Sequence, residues 1–138
     1  MINWREQAST SHFQTAVAIR DRLRSGAIVD ASAGIEELID ALSRSDKRAL
    51  KSQLVRLMVH ILKWKNHPEG RCRSWSSSIR QTREEVRDIQ KETPSLTDDV
   101  VRALWPRCLS IARDEAATEM ECNLADGELS WDEVFPKA

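Results

Sequence analysis

Apolar residues along this chain recur at helical spacing almost throughout. Leu50, Leu54, Leu57, Ile61 and Trp64 step by four, three, four and three residues, and Trp75, Ile79, Thr82, Val86 and Ile89 repeat that step. Such a stripe turns one face of a helix toward a neighbour. Proline cannot continue the helical hydrogen-bond ladder and glycine suits a turn, so Pro68 and Gly70 between the stripes predict an antiparallel helical hairpin. Ile35, Ile39 and Leu42 keep the same step, but the jump from Leu42 to Leu50 is eight residues, one out of phase. A kink or tight break near Ser43 to Asp46 is therefore expected within a helical segment from about Ala33 to Asn66.

Upstream, a first helix is expected from about Asn3 to Arg24, with Phe13, Val17 and Leu23 plus alanines on one side. Gly26, just past three arginines, is its natural stop, and Asp30 or Ser32 is able to cap the next helix. Downstream, a third helix should run from Ser74 to Glu92. Thr93 to Leu96 breaks the chain, and Ser95 with Asp98 forms a capping-box-like start. A fourth helix then carries Val101, Leu104, Trp105, Leu109 and Ala112 to about Glu121, bent or restarted at Pro106. Trp131, Val134 and Phe135 mark a last short amphipathic turn. There is no tyrosine, there are only two phenylalanines, and no alternating β-branched run occurs. The expected class is all-α, an antiparallel bundle of four main helices with a short C-terminal helical turn, in one domain over residues 1–138.

Length and composition narrow the class of protein. A chain of 138 residues is able to bury about two-thirds of its unfolded surface. Its longest apolar runs fall well short of the roughly 20 residues of a membrane helix. Cys72, Cys108 and Cys122 are odd in number with no Cys-x-x-Cys pair, and the first residues lack a basic-then-apolar leader. These features predict a reduced cytoplasmic protein that does not enter a membrane. The net charge of −1 conceals an uneven layout. Residues 1–43 carry four basic and six acidic side chains, residues 44–91 carry 13 and five, and residues 92–138 carry four and 11. The basic middle is expected to face either the acidic tail or an acidic partner.

Arg73, Arg80 and Arg87 recur every seven residues with Arg83 alongside, while Lys63, Lys65 and Arg71 gather at the hairpin turn. These seven make a cationic edge and are the candidate partner-binding residues, for nucleic acid or an acidic protein surface. No catalytic residue is identified. His60 is the strongest candidate base, but with Leu50 at 0° on a helical wheel it falls at about 280°, beside the apolar stripe rather than in it. An enzyme would need His60 paired with Glu36 or Glu37. His12, His60 and His67 are each isolated, with no Glu-x-x-His pair, so no metal is expected. Only four glycines occur and none is near another, which removes a phosphate-cradling loop and leaves no cofactor to expect. Cys108 is expected in the core and Cys72 at the surface. Trp64 and Trp75 fall on the stripes and are expected to anchor the core at the hairpin end.

A longer string of residues carries a family signature. Glu36-Glu37-Leu38-Ile39, then Leu57-Met58-Val59-His60-Ile61-Leu62-Lys63-Trp64, Pro68, Ser74-Trp75, Ser78-Ile79-Arg80-Gln81-Thr82-Arg83 and Pro94-Ser95-Leu96 resemble a bacterial family catalogued as domain of unknown function twenty-nine. The family-motif positions are His60, Lys63, Trp64, Ser74, Trp75 and Arg83. The chain departs from the family at Leu109, where a tyrosine is common, and at Ser130, where a proline is usual. The resemblance implies an all-helical protein and assigns no activity, cofactor or catalytic residue. The expected role is action through protein contacts, as an adaptor or a homo-oligomer. The alternative is nucleic-acid or acidic-partner binding through the basic hairpin edge.

Overall fold

A computed structural model describes residues 2–122, 124 and 127–137. Helix is the regular structure throughout these residues: α1 (Trp4–Thr10), α2 (His12–Arg24), α3 (Ile28–Asn66), a 3-10 turn (Pro68–Gly70), α4 (Arg73–Glu92), α5 (Asp98–Met120) and α6 (Trp131–Val134). The protein is an all-α helical bundle. Its contacts divide into two compact units, Met1–Lys47 and Arg48–Ala138.

In the N-terminal unit the single first helix expected over residues 3–24 is two helices. Ser11 has extended backbone, its N–H bonds the Gln7 carbonyl to close α1, and its hydroxyl accepts from the Gln14 N–H to open α2. A serine that competes for local backbone groups favours a cap over a helix interior, and the apolar spacing on either side carries no trace of that choice. α2 ends as anticipated at Gly26, whose φ of 86° is open to glycine; Ala27 N–H reaches the Arg22 carbonyl and Gly26 N–H the Leu23 carbonyl, a Schellman closure. α3 begins at Ile28, ahead of the expected Asp30 or Ser32 cap. Asp30 serves instead as a clamp, accepting from Trp4 Nε1 at 2.8 Å and pairing with Arg22 at 3.3 Å. Trp4, Ile19 and Ala31 form the small buried cluster of this unit, with Ile2, Ala18 and Leu38 against it. Small residues permit this approach: a methyl at Gly34 would lie within 3.0 Å of both Ile19 and the Trp4 ring.

The tight break expected as one of two alternatives near residues 43–46 does not occur, and α3 is helical without interruption to Asn66. The one-residue slip between Leu42 and Leu50 falls beside the boundary between the units, so each half of the helix serves its own packing partners without needing a common register.

In the C-terminal unit α3 is the central element. Leu50, Leu54, Val55, Leu57, Met58, Val59, Ile61 and Leu62 are all buried, which makes this half apolar around most of its circumference. Against it pack Val86 from α4, Val101, Cys108, Leu109, Ala112 and Ala116 from α5, and Leu96, Leu124, Leu129, Val134 and Phe135 from the connections and tail. Thr82, in the α4 stripe, is buried with its hydroxyl donated to the Ser78 carbonyl. α5 opens on Thr97, not on Ser95, and continues through Pro106, where the missing N–H frees the Arg102 carbonyl. α6 opens on a reciprocal capping box between Ser130 and Glu133.

Candidate functional site

Two surfaces stand out, one on each unit. The first is the basic edge of the C-terminal unit, where the hairpin turn and α4 position the seven cationic side chains. Most of them are engaged by the same chain. Lys63 pairs with Glu119. Lys65 pairs with Glu133 at 2.9 Å and donates to the Glu128 carbonyl at 3.2 Å. Arg71 donates to the Trp64 carbonyl at 2.7 Å. Arg83 donates to the Val134 carbonyl at 2.7 Å, and partial burial draws its guanidinium below its ordinary pKa. Arg87 reaches Gln90 and Asp98, each at 2.7 Å, and lies 4.2 Å from the centre of the Phe135 ring. Arg73 and Arg80 are exposed and pair with no carboxylate among the described residues.

The carboxylates respond to these cations. The Gln90 amide, ahead of Arg87, holds Asp98 below the usual aspartate range. The Lys65 ammonium and then the Ser130 N–H do the same for Glu133. Both carboxylates are partly exposed, so the pairs position the start of α5 and the α6 turn more than they stabilise them. A groove of about 330 Å³ remains between α3, α4 and α6, lined by Ile61, Trp64, Ile79, Arg80, Arg83 and Glu133 among others.

The tryptophans at the hairpin end depart from expectation. Trp64 and Trp75 are half-buried and lie outside the buried apolar cluster. Cations cover their faces instead: Arg71 sits 5.1 Å from the Trp64 ring and Lys63 5.7 Å from Trp75, with the His67 ring 6.1 Å from Trp75. The α4 start holds Trp75 over a turn that offers too little apolar surface to enclose two indoles. Ser74 is exposed. His60 is half-buried, and its Nδ1–H donates to the Arg56 carbonyl at 2.9 Å, a contact within one turn of its own helix. Glu36 and Glu37 belong to the N-terminal unit and His60 to the other. Among the described residues no cluster of His, Cys, Asp and Glu is disposed to hold a metal ion, and no helix is long and apolar enough to cross a membrane.

The family model described as domain of unknown function DUF29 matches residues 12–137. The chain belongs to the DUF29 family. No curated protein and no solved structure matches it. The family-motif positions His60, Lys63, Trp64, Ser74, Trp75 and Arg83 lie on the hairpin of the C-terminal unit, where Lys63, Trp64, Trp75 and Arg83 take part in the contacts above, while the signature's Glu36 to Ile39 belongs to the N-terminal unit. The chain's departure at Ser130 has a structural use, because its hydroxyl caps α6.

The second surface includes Phe13, Leu23, Ile35, Ile39 and Leu42, which fall on the stripes expected to pack. Phe13, Leu23, Ile28, Val29, Ile35, Ile39 and Leu42 are exposed, and all belong to the N-terminal unit. Phe13 is 73% exposed, Val29 86% and Ile28 64%. Helix α3 carries two adjacent seams here, each stepping by four, three, four and three. Ala31, Gly34, Leu38 and Ala41, in line with Ala27 just before the helix, form the inward seam, and Ile28, Ser32, Ile35, Ile39 and Leu42 the outward one. The small residues face inward because only they admit the Trp4 ring and Ile19 at close range. The large residues one position along are thereby turned outward. Sequence patterning missed this surface because an apolar stripe reads the same whether its partner lies in the same chain or in another.

Proposed function

We propose that this protein acts through protein contacts, with the outward α3 seam of its N-terminal unit as the contact surface. The observation that supports this reading is that every exposed large apolar side chain among the described residues belongs to that unit, with Ile28, Val29, Ile35, Ile39 and Leu42 following one another along α3. Scattered apolar residues are ordinary on a protein surface, whereas a contiguous set along one helix is the pattern of an interaction face. The isolated His60 and the lack of a metal-ligand cluster among the described residues offer no competing chemistry. The reading includes a cytoplasmic location, in keeping with three unpaired cysteines.

The test is photo-crosslinking in cells producing the protein, with a benzophenone-bearing residue placed in turn at positions 35, 39 and 84. Adducts from 35 and 39 are expected, with none from 84 on the exposed face of α4. A yield at 35 and 39 no higher than at 84 would overturn the reading.

The second reading is nucleic-acid or acidic-partner binding at the hairpin edge, and it rests on exposed Arg73 and Arg80. The other five cations have partners within the chain, which leaves about two phosphate contacts and hence a log–log salt slope near −2. Measurable RNA or DNA binding by the whole chain near 100 mM salt, lost in Arg73→Gln/Arg80→Gln, would favour this reading over the first.

A further inference from the structure

We infer that the outward α3 seam is the contact between two copies of this chain. The inference rests on the contact reading above and identifies its partner.

Three properties of the surface point to a second copy. The first is area. Ile28, Ile35, Ile39 and Leu42 together expose the equivalent of about two whole residues, on the order of 300 Å² of apolar surface. A stable interface takes about 800 Å² from each partner, about three-fifths of it apolar, so this one helix face supplies more than half of the apolar area that one side requires.

The second property is shape. The seam keeps the four-three step over Ile28, Ser32, Ile35, Ile39 and Leu42, which is the step this chain already uses to pack α3 and α4 inside its C-terminal unit. A helix with that repeat presents knobs and holes complementary to a helix with the same repeat, and a second copy supplies one by symmetry. The third is charge. The seam's outer border carries Glu36 and Asp40, and α2 of the same unit carries Arg20, Arg22 and Arg24. Arg20 and Arg22 already pair with Asp21 and Asp30, which leaves Arg24 and the two border carboxylates to offer both signs to a second copy, and a net charge of −1 adds little long-range repulsion.

Sedimentation equilibrium on the purified whole chain, from about 1 to 100 µM, tests the assignment. Wild-type protein is expected near twice 15.8 kDa at the upper concentrations, with Kd about 10 µM or tighter, and Ile35→Glu/Ile39→Glu at 15.8 kDa with unchanged helical circular dichroism. Ile28→Glu/Ile39→Glu, at the two more exposed seam positions, is the second variant should the first lose helix content. A wild-type monomer at 100 µM, or a dimer that persists in a folded variant, would overturn the inference. The cellular crosslinks separate this failure from that of the contact reading. Adducts at position 39 with another protein's mass remove the second copy and keep the face, whereas absence of any adduct removes both.

Discussion

Gly34→Ala puts the packing of the N-terminal unit to a quantitative test. In an exposed helix the change would stabilise by about 1 kcal/mol, since glycine costs that much relative to alanine. Here the new methyl would stand 2.8 Å from Ile19 Cγ1 and 2.9 Å from Trp4 Cε3, both well inside contact distance. Neither neighbour has an easy retreat. The Trp4 ring is fixed by its hydrogen bond to Asp30, and Ile19 is buried with a branched side chain. Overpacking of a well-filled site costs about 1–3 kcal/mol, and the fixed ring places this case at the upper end. Set against the propensity gain, the net expectation is a loss of about 1–2 kcal/mol confined to the unit built on Trp4, Ile19 and Ala31. Native-state amide exchange reads the two units separately. Amides of Ile19 and Ala31 should exchange roughly five- to thirty-fold faster, while those of Leu57 and Met58 stay unchanged. Slower exchange at Ile19 and Ala31 would mean that helix propensity outweighs the contact, and the account of why the small seam faces inward would fail.

Other expectations follow from the C-terminal unit. Leu57→Ala should cost about 2–5 kcal/mol and Trp64→Ala only about 1–2, because Leu57 is fully buried while Trp64 is half-open and covered by a cation; urea unfolding showing the reverse order would contradict the placement of the indole. Asp98 has a folded pKa below its unfolded value, so its contribution is complete above about pH 4 and is lost as pH falls through the lowered value; Asp98→Asn should remove that acid-limb dependence at a cost under about 1 kcal/mol, and an unchanged pH–stability curve would speak against the Gln90–Asp98–Arg87 contacts. Cys72 and Cys122 should react promptly with a thiol reagent in the native protein while Cys108, buried and with its thiol pKa raised by that burial, reacts only on unfolding; three equivalent rates would refute the α5 packing.

The fold was largely legible because its two strongest stripes, Leu50 to Ile61 and Ile79 to Ile89, are real packing seams and because Pro68, Gly70 and Gly26 act as stops through backbone geometry alone. The break at Ser11 was not legible. Capping by a serine hydroxyl competes with helix continuation by a margin of about 1 kcal/mol, and the apolar spacing around it holds no record of which side wins. The phase slip at Leu42 to Leu50 was visible but its meaning was not, since a slip relieved by a break in the helix and a slip between two packing environments are written alike. The basic edge followed from a seven-residue recurrence of arginines. Which of those cations meet the tail depended on tertiary contacts to Glu133, Val134 and Phe135, more than 40 residues away in the chain. The apolar seam was misplaced for a simpler reason. Of two adjacent seams on α3 the bulkier one looks like core, and only the tight approach of Trp4 and Ile19 selects the smaller.

Val134 and Phe135, at 0% and 5% exposure, fill the same cluster as Leu50 and Leu54, so the order in which the chain leaves the ribosome matters. The N-terminal unit finds its buried partners within residues 2–38 and is able to close early in synthesis. The C-terminal unit has to wait for residue 135, holding the leucines of α3 uncovered through the translation of some 80 further residues. Folding of the second unit is therefore a late event set by long-range contacts, and the interval before it is when the nascent protein is most exposed to aggregation and most dependent on chaperones.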